Sequence, residues 1–501
     1  MNIFLILFSW VFSYKFIKSI EQMNISHFYI LPLKIEHHPY KTTKNEMTTE
    51  EIILSLLKTK YTSTIFTGTP KKSIPFELSF DTYSLYISSN NVTNNQTEIY
   101  KFNPYSSSTY EQLSDEKAIK DAQKCDLCIF AKESFYIQEN NTFFEFKNTN
   151  FVLGNKLNNK FNKVSAAIGL KPVITDFDII EDNFITQLRH KNYINEYSFR
   201  LRFSVEKNKN IFNNGEFIIG AYPHQYLPNI YDEKDFKYFY IDSDSDYWEF
   251  PQRGIMYGNN TLQITYNLIL DLETIFITSS YKLFSKVSEQ FFDELFIEGY
   301  CQAVIYNALK FIICDENEKV NINKMKDLVI YPENSLDNIN ITFTPSDLFY
   351  RFIDNNGKAK LLYLICFSND YNEWGKLGNI FIKKYQPIFD FEKKIIGFYD
   401  KIYPDEEDKY IKGKNENSEN NDNNDNKKRN DINEDNKGII ILVIIIVILG
   451  VLFIALVIIF YYYIKINKLR TKRANELQDD EFIYVHNKEN TVNDNNKLLD
   501  S

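Results

Sequence analysis

Glycine is scarce in this chain, 15 of 501 residues, or about 3%, where soluble domains average near 7%. No GxGxxG or GxxxxGK[ST] string occurs, so the glycine-rich loops that cradle nucleotide phosphates are excluded. Cysteine (5) and histidine (6) are few and scattered. Cys125 and Cys128 form the only CxxC, and no second pair answers it, so neither a zinc scaffold nor a metal ligand set is expected. His27, His37, His38, His190, His224 and His486 sit in no Ser or Cys constellation and read as ordinary surface or core residues. An excess of positive charge is also lacking. With 57 basic against 67 acidic residues, a net charge of -10 and a pI near 5.4, there is no surface suited to tracking a phosphate backbone, and no nucleic-acid partner is expected. No cofactor is called for. What the chain has in abundance is aromatics, 42 Phe and 35 Tyr within a 16% aromatic share, and length enough for two to four domains.

Its two ends read as membrane-related. Residues 1–13, MNIFLILFSWVFS, form an apolar run with Val11 and Ser13 at the small-residue positions before a cut, and are expected to be a signal peptide. A signal anchor is disfavoured, because the run is about a dozen residues and a span needs roughly 20. Residues 438–464 contain a charge-free stretch from Ile439 to Ile464 that ends in Tyr461, Tyr462 and Tyr463, long enough for one transmembrane helix. Lys465, Lys468, Arg470, Lys472 and Arg473 follow at once. The positive-inside rule therefore puts the tail, 465–501, in the cytosol and the bulk of the chain outside it. Sequons at Asn24, Asn91, Asn95, Asn140, Asn259 and Asn340, and all five cysteines, lie on the non-cytosolic side. The Asn-rich stretch within 404–437 holds almost no aliphatic residue and is expected to be a disordered stalk. In the tail, Asp494, Leu498 and Leu499 have the D-x-x-x-L-L form of a sorting signal, which implies an adaptor as partner. The expected location is the secretory pathway, in an endolysosomal or cell-surface membrane, as a single-pass type I protein.

Between these ends the text consists of short apolar segments rich in Ile, Phe, Tyr and Thr, separated by Asn, Asp, Lys and Gly clusters, which predicts a mainly β body. Phe76–Ile87, Phe199–Val205, Glu216–Ala221 and Ile380–Phe391 are the expected strand regions. Helices are expected at Glu50–Leu57 and at Ser285–Phe296, the latter with Ser285 as N-cap. The most informative feature is a repeat. Asp81-Thr-Tyr-Ser-Leu-Tyr-Ile-Ser-Ser89 and Asp271-Leu-Glu-Thr-Ile-Phe-Ile-Thr-Ser279 align without a gap, and an apolar strand precedes each aspartate. Two halves thus each offer one carboxylate at a strand-to-turn junction. Brought together, two acids sharing a site cannot both ionise easily, so one can serve as base while the other stays an acid.

These strings, with others in the same order, make the chain resemble the pepsin-like aspartic proteases of the membrane-anchored type. Tyr61 to Pro70 with FELSFDTYS is similar to the family's opening strand, GTP turn and first active-site loop, and Phe102-Asn-Pro-Tyr-Ser-Ser-Ser-Thr109 to the segment that follows. Ala167-Ile-Gly169-Leu170, GEFIIG at 215–220, Tyr247-Trp248-Glu249, the Asp271 loop, Trp374 to Phe381, Phe389-Asp390 and Ile396-Gly397 continue the order. The resemblance implies an all-β, bilobal fold with one C-terminal transmembrane helix. It implies an N-terminal lobe at 60–205, a C-terminal lobe at 206–403 and a propeptide-like segment at 14–59, whose Phe28 to Ile35 is similar to the opening strand of the family's propeptide. It also implies a Cys314–Cys366 disulfide in the second lobe, leaving Cys125 and Cys128 to pair with each other or with Cys301.

By the same resemblance Asp81 and Asp271 are the catalytic pair, with Thr82, Ser84 and Thr274 as supporting loop residues. The departures from the D-T-G-[ST] pattern are Tyr83, Leu272 and Glu273. Tyr83 and Glu273 bring bulk where only glycine leaves room, Glu273 adds a third carboxylate, and Leu272 cannot form the cross-loop hydrogen bond that a threonine makes. Tyr136 is the flap tyrosine by position only, since no Y-G-x-G string is present. The expected function is a catalytically impaired, membrane-tethered module that binds a peptide or protein in its inter-lobe cleft. The alternative is an active aspartic endopeptidase of an acidic compartment, and a third reading is a sorting receptor that holds soluble cargo.

Overall fold

Successive side chains of a strand point to opposite faces, which places every second one of the strand Thr59–Thr67 in the interior, from Thr59 and Tyr61 through Ser63 and Ile65 to Thr67. The computed structural model describes residues 28–37, 48–89, 101–115, 125–139, 142–157, 165–172, 183–203, 214–262, 267–333, 335, 339–368 and 375–419, with 462, 465 and 468. The chain divides into units 1–415 and 416–501, and the folded body is the first. The expected signal peptide, the sequons at Asn24, Asn91, Asn95 and Asn140, the tail motif at Asp494, Leu498 and Leu499, and the span at 439–464 apart from Tyr462 lie outside the described residues. Among the described residues no helix is long and apolar enough to cross a membrane.

The body is mainly β, in sheets of thirteen, nine and four strands. In the largest sheet, strands from both halves of the sequence meet: Ser198–Phe203 pairs on one side with Asn214–Ile219 and on the other with Ile388–Asp390, which continues to Ile395–Tyr399 and Phe236–Tyr240. The N-terminal strand Tyr29–His37 lies inside this sheet, between Asn214–Ile219 and Thr59–Thr67. Lys34 there pairs with Glu36 rather than approaching the aspartates.

The sequence repeat is a repeat of topology. Lys72–Ser79 runs parallel to Ala166–Gly169, which in turn runs antiparallel to Leu85–Ser88, so the Asp81 loop arches over a third strand inserted between its two arms. Leu268–Leu270, Gly375–Leu377 and Ile277–Ser280 build the same arrangement around Asp271. Each inserted strand reaches its loop through a glycine. A Cβ on Gly169 would lie 2.4 Å from the carbonyl carbon of Tyr83, and one on Gly378 would lie 2.2 Å from Phe276 O. No other side chain fits at either point. Beneath the loops an aromatic cluster fills the interior: Phe80, next to Asp81, lies 5.3 Å from Phe389, which stacks at 4.6 Å on Phe199 and meets Trp248 at 5.0 Å.

Four local expectations need correction. Ile380–Phe391 is a helix, Asn379–Tyr385, followed by the strand Ile388–Asp390, with Gln386 in the left-handed region between them. An apolar run buried on all sides carries no period that separates helix from strand. The helix expected from Ser285 begins at Tyr281 with Ser280 at its N-cap, and Ser285 bonds back to Tyr281 O. The expected Cys314–Cys366 bridge is replaced by Cys301–Cys314. These two residues face each other across the antiparallel strands Cys301–Tyr306 and Leu309–Asp315, with Cα atoms 4.0 Å apart. The strand of Cys366, Ile365–Ser368, meets Leu309–Asp315 only at Leu309 and Lys310, and Cys366 is a buried thiol beside Thr278 Oγ1 at 3.4 Å. Finally, the stretch read as a disordered stalk from 404 starts as a helix, Pro404–Glu419. Pro404 in its first turn and Asp405, Glu406 and Glu407 at its positive end favour it. Glu407 fixes it, pairing with Arg200 at 3.0 Å and Arg202 at 2.8 Å in the interior. By contrast, the helix at 50–57 forms nearly as expected, as Thr49–Leu56, with Thr48 and Glu51 making a capping box.

Candidate functional site

Both aspartates line one cavity of about 550 Å³, together with Thr59, Tyr61, Trp248 and Lys376. Asp81 stands exposed at the turn after Lys72–Ser79, and its amide donates to Ser79 Oγ at 3.3 Å. The loop behind it is fixed from below: Gly169 N donates to Ser84 O at 3.0 Å, Lys171 N to Thr82 O at 3.0 Å, and Asn183 Nδ2 to Tyr83 O at 3.0 Å. Ser84 is buried. Thr82 is fully buried, and its hydroxyl makes no hydrogen bond among the described residues.

Tyr83 does not fill the space between the loops. Its hydroxyl donates to Asp246 Oδ2 at 3.0 Å, and Lys171, itself paired with Asp246, lies 4.8 Å from the Tyr83 ring centroid and 4.2 Å from that of Tyr247. The residue in the glycine position thus ties the first loop to the second half of the chain, alongside Trp248 Nε1, which donates to Leu170 O at 2.5 Å.

Asp271 is held more closely. Its Oδ1 accepts from Glu273 N at 2.9 Å and its Oδ2 from Lys376 Nζ at 2.9 Å. Lys376 reaches it because Gly375–Leu377 alternates, burying Gly375 and Leu377 and turning the lysine outward. Burial acts to lower the Lys376 pKa, but the carboxylates of Asp271, Asp81 and Glu273 outweigh it and raise the pKa above the ordinary lysine value, so the ammonium keeps its proton. Leu272 is buried and offers no donor toward the first loop. The Thr274 hydroxyl accepts from Phe276 N at 3.2 Å instead of reaching Asp271. Glu273 is exposed at the cavity wall, and its carbonyl accepts from Thr59 N at 2.7 Å. With Ile275 N donating to Leu56 O at 3.1 Å, this stitches the end of the Thr49–Leu56 helix to the second active-site loop.

Tyr136 lies away from this cavity. It is buried, donates to Glu145 at 3.2 Å and carries Lys71 4.5 Å from its ring centroid. Asn259 and Asn340 are exposed. Among the described residues no cluster of three or more His, Cys, Asp or Glu could hold a metal ion. Two residues escaped the sequence reading. Lys376 was legible in principle, as the one polar residue between Gly375 and Leu377 in a three-residue strand beside the Asp271 loop. Tyr61, whose hydroxyl is buried without a partner among the described residues and whose pKa is raised first by burial and then by Asp271, carries no local signal.

Two loops of like topology, each delivering an aspartate to a common cavity and each backed by a close-approaching glycine, define the architecture of the two-aspartate peptidases. The chain belongs to that family: the model for eukaryotic aspartyl proteases matches residues 60–401. A search of curated proteins finds no match.

Proposed function

We propose that this pepsin-like protein is catalytically impaired and serves as a membrane-tethered module that binds a peptide or protein in its cleft. The observation that carries the reading is Lys376 Nζ at 2.9 Å from Asp271 Oδ2. Peptide hydrolysis by two carboxylates needs one proton that the pair passes to the scissile carbonyl oxygen while taking another from water. At this site an ammonium that retains its proton already satisfies one Asp271 oxygen, in the place where water and substrate would bind. The cross-loop lock is absent on both sides, since the Thr82 hydroxyl has no partner among the described residues and Leu272 has no hydroxyl. Sites of this kind lose on the order of 100-fold for small misplacements of the reacting groups.

The tether is the charge-free segment at 439–464, and the tail beyond it carries the sorting motif for an adaptor. Together these features support a single-pass type I protein of the secretory pathway. The purified full-length chain, incubated with a mixed peptide library across acid and neutral pH, should produce no cleavage beyond that of its Asp81→Ala and Asp271→Ala variants. Cleavage that both substitutions and a statine-type inhibitor abolish would establish the active endopeptidase instead.

A further inference from the structure

The cavity that holds the two aspartates is unusually acidic. Seven of its lining side chains are carboxylates and one, Lys376, is a cation. Three of the seven are matched: Glu77 by Lys60 at 2.9 Å, Asp246 by Lys171, and Asp271 by Lys376. Among the described residues no lysine or arginine lies within ion-pair distance of Asp81, Asp244 or Glu249. Two buried polar atoms on residues that line the cavity add a second, independent observation. Tyr61 is 1% exposed and Glu249 5% exposed. Both line the cavity, and among the described residues neither Tyr61 Oη nor Glu249 Oε2 has a hydrogen-bond partner. Buried oxygens of this kind are costly unless something satisfies them. Glu249 Oε2 calls for a donor, since a carboxylate oxygen only accepts, and the Tyr61 hydroxyl, which both donates and accepts, can take one too.

We propose that the cleft captures an extended peptide through one arginine side chain, which enters the cavity at the Asp244, Glu249 and Tyr61 wall. This rests on the peptide-binding reading given above and names the ligand that the reading leaves open. A guanidinium suits the wall better than an ammonium. It presents five donors in a plane, enough for a carboxylate, the Glu249 oxygen and the phenol together, and it can stack on the exposed ring of Tyr247, which also lines the cavity. Lys376 is then a resident cation that offsets part of the charge and sits beside the incoming one.

The test is fluorescence anisotropy with the purified full-length chain and two labelled alanine–leucine heptapeptides, one with a central arginine and one with citrulline, its uncharged isostere. The arginine peptide should bind roughly tenfold tighter or better, with the gap narrowing at about 0.5 M salt. Asp244→Asn with Glu249→Gln should shrink the preference to about threefold or less, and Lys376→Met should tighten arginine binding. Thermal melts of each variant confirm that it is folded. Equal binding of the two peptides would overturn the inference while leaving the peptide-binding reading intact. An arginine preference that survives Asp244→Asn with Glu249→Gln would overturn the assignment to this wall. No binding of either peptide by folded protein would defeat the peptide-binding reading itself.

Discussion

At the scale of single residues, the environment of a side chain decides more than its identity. His224 shows this in a simple form: its Nδ1 lies 2.6 Å from the Tyr399 hydroxyl. Burial, reinforced by Lys393, outweighs Glu233, Glu196 and Asp232 and lowers its pKa below the ordinary 6.5. A base whose pKa falls on folding binds its proton more readily in the unfolded chain. The stability it contributes is therefore complete above about pH 6.5 and is lost as pH falls through the lowered folded value. The His224→Gln variant should lose less thermal stability than the wild type between neutral pH and about pH 5, as paired melting curves would reveal. An identical acid limb in the two proteins would contradict this.

Asp81 and Asp271 are legible in the sequence because their nine-residue surroundings repeat, and a repeat survives even where the individual motif letters have changed. Lys376 was not singled out, because its effect depends on strand parity and on which strand lies beside Asp271, neither of which a linear motif states. Tyr83 was read as bulk between the loops. The structure turns it aside to Asp246, a contact across 163 positions of sequence that no local pattern announces.

At the scale of elements, register settles what spacing leaves open. The family resemblance pairs Cys314 with Cys366, and the antiparallel pairing of Cys301–Tyr306 with Leu309–Asp315 brings Cys301 to it instead. Replacing Cys301 and Cys314 together by Ser should cost about 3 kcal/mol, the loop-closure value for a bridge of this span, whereas Cys366→Ser should cost clearly less. Non-reducing peptide mapping with denaturant melts separates the cases. A Cys314–Cys366 linked peptide would contradict the fold as described. Ile380–Phe391 teaches the same lesson from another side. Its apolar composition announced a buried element correctly, but the chain turns at Gln386, in the left-handed region, which divides the helix Asn379–Tyr385 from the strand Ile388–Asp390. Thr48 and Glu51, in contrast, are a purely local signal, and the helix they start was predictable to within a residue.

At the scale of the whole molecule, the sheet that joins the two halves is also where the C-terminal helix docks. Arg200 and Arg202 are 1% and 0% exposed at their side chains, and Glu407, 1% exposed, bridges them. Tyr231 also donates to Glu407, and Arg202 reaches Glu216 at 2.6 Å and Asp408 as well. Removing one partner of such a buried network leaves charge uncompensated, at about 3–5 kcal/mol. Glu407→Ala should therefore destabilise the body by that amount in denaturant melts. A loss below about 1 kcal/mol, the value of a surface pair, would show that the helix merely lies on the sheet. This network was invisible in sequence, since its members are about 200 positions apart and the helix begins where the composition turns toward Asn and charge. The overall architecture was nevertheless readable from the order of short motifs along the chain, because that order is the order in which the strands are laid down.

On the proposed reading, an ammonium held on Asp271, together with altered loops, keeps this fold from cutting peptides. The most direct measurement is peptide turnover by the wild-type chain beside a variant carrying Tyr83→Gly, Leu272→Thr, Glu273→Gly and Lys376→Met, read on one library under the same acid conditions. The expected result is no turnover by the wild type and a gain of about 100-fold or more above its background in the variant, lost again on adding Asp81→Ala. Wild-type turnover that depends on Asp81 and Asp271 and is unchanged by Lys376→Met would contradict it.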